Sequence, residues 1–334
     1  MTTYKEIFGK YVKNYSSDPT ADIEGQIWYN STSGTFKSEV NVADSWSSGG
    51  NLNVARDVFA GSGTQTATAV FGGRGASDPV AAIATENYNG SAWTNSGNMS
   101  NQRRYCAGLG ASQTAALAVS GQNQIGPGLV TACEEYGGSS WTSGGAYPFG
   151  APGLMCSGTQ TAGLAAGGPF ASVPQSQSSN EYDGSTWAAG GTLNTRRDSG
   201  LGIGTQTASL ICGGYQPPVG YVASVESYDG TSFTSGTSMP RAQGGGGSGG
   251  TQTLAIVFAN DPPPYSNTTI TFNGTSWATA VAQLNTGRGN VAKSINGCPS
   301  TGVIAVGGNT GPAVVASTEE YTVTGLTTKT ITTS

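Results

Sequence analysis

The chemistry open to this chain is bounded first by a side chain it lacks: there is no histidine. That removes a Ser-His-Asp or Cys-His nucleophile and any metal centre that needs imidazole, and no substitute base stands out beside the serines, threonines or cysteines. Two carboxylates alone suffice for glycoside hydrolysis, and Glu86, Glu134, Glu135, Glu181, Glu226, Glu319 and Glu320 are the candidates. Most of them occupy one recurring position, just before a tyrosine, so they read as part of a repeated hairpin rather than as one acid/base pair. Arg56, Arg103, Arg104, Arg196, Arg197, Arg241 and Arg288 have two readings. Guanidinium groups set around an axis can clamp an anionic sugar or carboxylate through bidentate hydrogen bonds. Alternatively each bonds carbonyls or a glutamate of its own or the next repeat, and the regular spacing favours that. Cys106, Cys133, Cys156, Cys212 and Cys298 share no C-x-x-C spacing and read as buried thiols rather than as a disulfide or metal set. The expectation is a protein that is not an enzyme and has no catalytic residue, cofactor or metal.

The elements that carry these residues repeat. Trp46, Trp93, Trp141, Trp187, Phe233 and Trp277 hold one equivalent position, with gaps of 47, 48, 46, 46 and 44 residues. A second marker keeps the same period: Gln65, Gln113, Gln160, Gln206 and Gln252 each lie seven residues before a Gly-Gly-like pair, such as Gly72-Gly73 or Gly213-Gly214. A sixth pair is Gly307-Gly308, with Ser300 where glutamine is expected. Six units of about 46 residues point to a solenoid, a propeller or an array. Each unit contains a short run of small and β-branched residues, as in TQTATAVFGG, that suits a buried strand. Asn89-Gly90, Gly137-Gly138, Asp183-Gly184, Asp229-Gly230 and Asn273-Gly274 then predict two-residue hairpin turns with positive φ. No capped helical period is present. Such a unit cannot bury a face alone, so neighbours complete the core, and radial sheets of three or four strands make a propeller.

The succession of a Gly-Gly pair, a tyrosine about 14 residues on and a tryptophan five after it resembles the kelch motif. The pattern continues with Leu52, Met99, Leu193 and Met239 six residues past the Trp position, and with Arg56, Arg103 and Arg197 at ten; Arg288 fits if one residue is inserted. The resemblance spans residues 42 to 323 and implies an all-β, six-bladed kelch-like β-propeller. Ala151 and Gln243 stand where arginine is expected, and the fifth unit lacks Gly-Gly, which puts an arginine ring (Arg56, Arg103, Arg197, Arg241, Arg288) in doubt rather than the fold. Copper oxidases similar to galactose oxidase share this fold, but their site needs histidines that this chain does not have. Asp183 to Trp187 loosely resembles the Asp-box turn of sialidases, itself a structural feature.

At the ends, VADSWSSGG around Trp46 matches a Trp strand with no Gly-Gly strand before it, and STEEYTVT around Tyr321 matches a Tyr strand with no tryptophan after it. The Trp46 strand is therefore expected beside the Tyr321 strand, closing the ring and removing an exposed sheet edge; the alternative is that Thr327 to Ser334 supply the last strand. Residues 1–40 lie outside the repeat and form a separate N-terminal arm, the propeller taking 41–334. The arm includes GQIWYNSTSGTFKSEV, a hairpin around Ser33-Gly34, which resembles short segments of fibre and appendage proteins of tailed, marine cyanophage-like bacteriophages.

That resemblance implies a virion protein, with residues 1–40 attaching to other virion proteins in a manner compatible with a homotrimer, and a chain that reaches the particle without a signal peptide. A net charge of -5 argues against a nucleic-acid partner, and no window of 18 apolar residues argues against membrane insertion. The loops between Gly-Gly and tyrosine vary most between units, as variable loops on a rigid scaffold do where binding resides. Arg74, Gln122, Phe170, Tyr215, Tyr221, Tyr265 and Asn309 mark that face. They make host-surface binding, to glycan or protein, the leading reading; a capsid or tail decoration protein and a kelch-type interaction scaffold are the alternatives.

Overall fold

The computed structural model describes residues 12–19, 26–41, 43–75, 79–123, 128–168, 177–261, 263–293, 295–323 and 326–331. They belong to two compact units, Met1–Ser45 with Val323–Ser334, and Trp46–Thr322.

The smaller unit is one four-stranded sheet in the order Lys13–Tyr15, Ile27–Asn30, Thr35–Asn41 and Leu326–Thr330. Its hairpin turns at the expected place. The Asn30 side chain accepts the amides of Thr32 (3.1 Å) and Ser33 (2.9 Å), and Gly34 supplies φ of 67°. The boundary differs from the expected 40/41. Leu326–Thr330 pairs antiparallel with Thr35–Asn41 over five residues, from Lys37 with Thr330 to Asn41 with Leu326. That backbone ladder draws the C-terminal strand into the N-terminal unit, so it is not the closing strand of the repeats.

Among the described residues the larger unit is all-β apart from a single 3-10 turn at Pro79–Ala82. Five of its sheets have four strands in simple meander order. The first contains Ala60–Thr64, Ala67–Phe71, Thr85–Tyr88 and Trp93–Ser96; the second Ala107–Ser112 to Trp141–Ser143; the third Met155–Gly158 to Trp187–Ala189; the fourth Leu201–Gly204 to Phe233–Ser235; the fifth Gly247–Gly250 to Trp277–Thr279. In the sixth, Ile304–Val306 and Thr318–Thr322 are joined by Ser45–Ser48 from the other end of the repeats. The Trp46 strand thus lies beside the Tyr321 strand, as the two orphan half-repeats imply.

Successive leading strands lie side by side, Ala60–Thr64 against Ala107–Ser112, then Met155–Gly158, Leu201–Gly204 and Gly247–Gly250. Beyond them, Gly250 donates to the Cys298 carbonyl at 2.8 Å, and Lys293 pairs in parallel with Ala60. Backbones meet so closely here that a Cβ on Gly108 would lie 2.6 Å from the Gly61 carbonyl oxygen. Much of the glycine content serves this approach. Apolar side chains fill the space between neighbouring sheets: Trp141 packs edge-on to Phe71 at 4.9 Å and Trp46 sits 5.0 Å from Phe258, while within its own sheet Trp46 lies 5.2 Å from Tyr321.

The hairpin turns depart from expectation. Tyr88 pairs with Trp93, so the loop has four residues. Of Asn89 and Gly90 only the glycine has positive φ, 90°. The Asn89 carboxamide replaces the second left-handed residue by accepting the amides of Ser91 (3.0 Å) and Ala92 (2.9 Å); Asp183, Asp229 and Asn273 do the same in their turns. Short polar side chains mimic backbone in this way.

Candidate functional site

The recurring arginines are committed to the scaffold. Arg56 Nη2 lies 2.6 Å from Glu86 Oε1, Arg103 Nη2 2.5 Å from Glu134, Arg197 Nη2 2.8 Å from Glu226, and Arg288 Nη2 3.2 Å from Glu319. All four arginines are fully buried. Each carboxylate also accepts backbone amides of the connection that carries its arginine: Glu86 those of Asn53 and Val54, Glu134 those of Ser100 and Asn101. The guanidinium in turn donates to carbonyls around the Gly-Gly pair, Arg56 to Gly72 (3.2 Å) and Ala84 (2.9 Å). Burial draws Arg197 and Arg288 below the usual guanidinium range, yet a group that begins above 12 stays charged. These side chains clamp their own sheets and leave no cationic ring for an anion.

The two departures from the arginine pattern now have a physical account. In the third unit Ala151 replaces arginine and Asn180 replaces glutamate; the Asn180 amide donates instead to the hydroxyl of buried Tyr147 at 2.9 Å. Tyr147 occupies the Leu/Met position. In the fifth unit Gln243 and Ile270 take the two places. Arg241, two residues upstream, reaches into the vacated position, donating to the Ser266 hydroxyl, to Thr268 Oγ1 (3.2 Å), to Gln243 Oε1 (3.1 Å) and to the Ala259 carbonyl (3.4 Å). Cation and anion are lost together, as the cost of leaving one buried charge unpaired requires.

Three further sets of bonds staple each sheet to the one before it. The glutamines that keep the repeat period donate across the gap: Gln113 to the Thr68 and Tyr88 carbonyls, Gln160 to Ala116 and Tyr136, Gln206 to Gly163 and Tyr182, Gln252 to Ser209 and Tyr228. Gln65 does so to Val303 and Tyr321, from the first sheet to the sixth. Trp indoles do likewise, Trp93 to Gly50 and Thr318, Trp141 to Thr85, Trp46 to Thr269. The second set of glutamates accepts tyrosine hydroxyls of the following sheet: Glu320 from Tyr88 (2.5 Å), Glu135 from Tyr182 (2.6 Å), Glu181 from Tyr228 (2.7 Å). Burial, with the neighbouring carboxylate second, pushes these three phenols up to about 12. Every one of the seven candidate acid/base glutamates therefore has a structural partner, and the blade-core aromatics Trp46, Trp93, Trp141, Trp187, Phe233 and Trp277 pack within and between sheets.

The five thiols are buried and free. Burial raises Cys106 to about 11 and Cys212 and Cys298 to about 12, so they remain protonated and unreactive at neutral pH. Among the described residues no cluster of metal-ligating side chains forms.

The remaining candidates lie at the loop end. Here the chain makes a feature that the sequence did not announce. Two residues after each arginine position the backbone turns left-handed, at Val58, Tyr105, Gly153, Ser199, Gly245 and Asn290. The amide of each donates to the carbonyl of its predecessor: Tyr105 to Val58 (2.8 Å), Gly153 to Tyr105 (2.9 Å), Ser199 to Gly153 (2.8 Å), Gly245 to Ser199 (2.9 Å), Asn290 to Gly245 (2.6 Å) and Val58 to Asn290 (3.0 Å). Six bonds form a cycle. The residues after the Gly-Gly-like pairs border it through bridges of Arg104 with Gln122, Asp198 with Tyr215, Gly244 with Asp261 and Gly289 with Asn309.

Most of the loop residues singled out from sequence gather here. Arg74 is held bidentate by buried Asp57, at 3.0 and 2.6 Å, and Asn309 donates to the same carboxylate at 3.3 Å. Arg74, Asn309 and the Gly311–Val314 stretch line an open groove of about 480 Å³. Tyr215 and Tyr221 meet edge-to-face at 5.3 Å across a small hairpin, and the Tyr221 hydroxyl donates to Asp261 at 2.9 Å. Tyr265 lies close to Gly289 and Gly311. Gln122 lines a second recess, of about 190 Å³, with Tyr105, Pro152, Gly153, Asp198 and Ser199. Phe170 lies outside the described residues. Sequence reasoning missed Tyr105, Asp198 and Asp261; their signal was position, one or two residues after the arginine site or directly after Gly-Gly.

In the smaller unit, the Trp28, Asn30 and Lys37 side chains of the GQIWYN-type segment converge on one carboxylate, Asp18, at 3.2, 2.7 and 2.8 Å. These contacts hold Asp18 below the usual carboxylate range, the Lys37 bond first. The motif's three most distinctive side chains thus build the hairpin unit.

No protein-family model matches the sequence, and no curated protein does. Among solved structures, that of YjhT aligns with 84% of this chain and 99% of its own length, at a TM-score of 0.69 and 13% sequence identity. At that identity the likeness speaks for the fold alone. The chain has the all-β, many-sheeted architecture of β-propeller type.

Proposed function

We propose that the repeats form a closed six-bladed kelch-like propeller and that the chain is a non-enzymatic structural protein of a tailed bacteriophage particle, a tail-fibre or appendage adhesin. In this reading residues 1–40 attach it to other virion proteins, as a trimer where fibres are three-fold, and the loop end contacts the host surface, with glycan the leading ligand. Closure is supported by the Trp46 strand beside Thr318–Thr322, by Gln65 bonded to the sixth sheet, and by the six-bond cycle. The observation that carries the adhesion reading is a division of labour. The charged side chains that recur with the repeat period are spent on clamping and stapling sheets, whereas the loop end displays aromatic and polar side chains that do not repeat, Tyr215, Tyr221, Tyr265, Gln122 and Asn309. A rigid scaffold with unlike loops at one end is suited to recognition.

The test has two arms. Proteomics of purified particles should find this chain; its absence would turn the reading toward a cellular interaction scaffold. Labelled full-length protein should bind host cells and lose that binding after periodate oxidation of surface sugars. Retention on particles with no binding to any host would replace adhesion by decoration or assembly.

A further inference from the structure

The buried charges that recur with the repeat are paired, and one that does not recur is left over. Lys293 stands three residues after Asn290 of the six-bond cycle. The equivalent places in the other units hold Gly61, Gly108, Cys156, Gly202 and Ser248, so the scaffold itself does not ask for a lysine there. Its backbone joins the row of leading strands: its amide donates to the Phe59 carbonyl and its carbonyl accepts from Gly61, both at 3.2 Å. The residue is 3% exposed, yet its ammonium has no hydrogen bond or ion pair among the described residues. A charge taken out of water without a partner is costly, and proteins pair such charges.

The surroundings say where the ammonium is aimed. Burial lowers its pKa, and Asp198, Asp261, Cys106 and Cys156, in that order, act against the shift. These four belong to the fourth, fifth, second and third units. A group within electrostatic reach of four units besides its own lies on the inner side of the leading strands. The two carboxylates are half-buried at the loop end, where water screens them. Asp261 already accepts the Tyr221 hydroxyl at 2.9 Å, and no ion pair joins either carboxylate to Lys293. Together they offset burial only in part. Of the two thiols, Cys106 donates to the Phe71 carbonyl at 3.9 Å. Cys156, at the place equivalent to Lys293 in the third unit, is buried and free, and its S–H has no acceptor among the described residues. A thiol is a weak donor, of the right sign for an anion.

We infer that Lys293 anchors a buried site for one small monovalent anion of the chloride class, with the Cys156 thiol as a second donor. One ammonium matches one negative charge, and so enclosed a position excludes a ligand that must project into solvent. The site is independent of what the loop end binds. The experiment is urea denaturation of the full-length chain, with sodium gluconate replaced stepwise by sodium chloride at constant ionic strength. Lys293→Met keeps the stem and removes the charge. Arg196→Met removes an exposed charge and serves as the control for general salt effects. An anion that binds only the folded chain stabilises it by mass action, so chloride at twice its dissociation constant should lower the wild-type unfolding constant about threefold. Arg196→Met should keep that response and Lys293→Met should lose it, whatever its own stability. Crystals soaked in bromide should show an anomalous peak beside Nζ of Lys293 that is absent from Lys293→Met. An equal chloride response in Lys293→Met, no response in the wild type, or bromide found only at the surface overturns the site. None of these results touches the adhesion reading, which is decided by cell binding.

Discussion

Lys293 differs from the other buried charged side chains, which are Arg56, Asp57, Glu86, Arg103, Glu134, Arg197, Glu226, Arg288 and Glu319, all of them ion-paired. It is 3% exposed, and its ammonium group has no ion pair or hydrogen bond among the described residues. Burial holds its ammonium below the ordinary value of 10.5, with Asp198 and Asp261 only partly opposing the shift. A base whose folded-state pKa is depressed binds fewer protons folded than unfolded, so stability rises with pH between the lowered value and about 10.5. Lys293→Met should therefore raise stability at neutral pH, by about 1–4 kcal/mol if it behaves as other buried-ion replacements do, and flatten that slope. Denaturant midpoints measured from pH 7 to 10 decide it; an unchanged slope means that Lys293 is not the source. Nothing in NVAKSINGC distinguishes this lysine from a solvated one. Its environment is made by the first sheet, more than 200 residues away in sequence, where it pairs with Ala60. The glutamates and arginines, by contrast, were legible as structural because their spacing follows the repeat.

At the scale of elements, the clamp between a connection and its tyrosine strand is the repeated unit of stability. Arg103→Ala strands a buried Glu134 and should cost about 3–5 kcal/mol, whereas Arg103→Met with Glu134→Leu should cost far less; a double-mutant cycle by urea denaturation separates the two. Equal losses in the single and double variants would show that packing, not charge, holds the connection. The third and fifth units are natural versions of the double change, and the matched substitutions Ala151 with Asn180 and Gln243 with Ile270 were present in the sequence as a signal. What pairwise spacing does not convey is substitution by a neighbour: Arg241 fills a place two residues away, and Tyr147 turns a Leu position into a hydrogen-bonding one. The hairpins misled for a related reason. Asn-Gly and Asp-Gly predict turns from backbone preference, but the side-chain carboxyl or carboxamide satisfied two amides and lengthened the loop to four residues.

For the molecule as a whole, the fold was legible from its incomplete ends, since a Trp strand without a beginning and a Tyr strand without an end specify each other. Trp46 binds that junction through Phe258, Tyr321 and its indole bond to Thr269 at 2.9 Å. Trp46→Ala should cost about 3–5 kcal/mol, and removal of residues 1–49 should abolish the single cooperative melt; a truncated protein that still melts in one sharp transition would place closure elsewhere. The loop end was legible only as a region, because the residues that shape it are set by the bond cycle and not by any motif. That cycle has a consequence for whatever approaches it. A helix terminus leaves unsatisfied amides and a partial charge along its axis. Here each amide faces the next carbonyl around the cycle, so all six N–H donors are spent within it. An incoming molecule finds no free amide among these six, so its contacts fall to side chains, which can be exchanged while the backbone bonds beneath them stay the same.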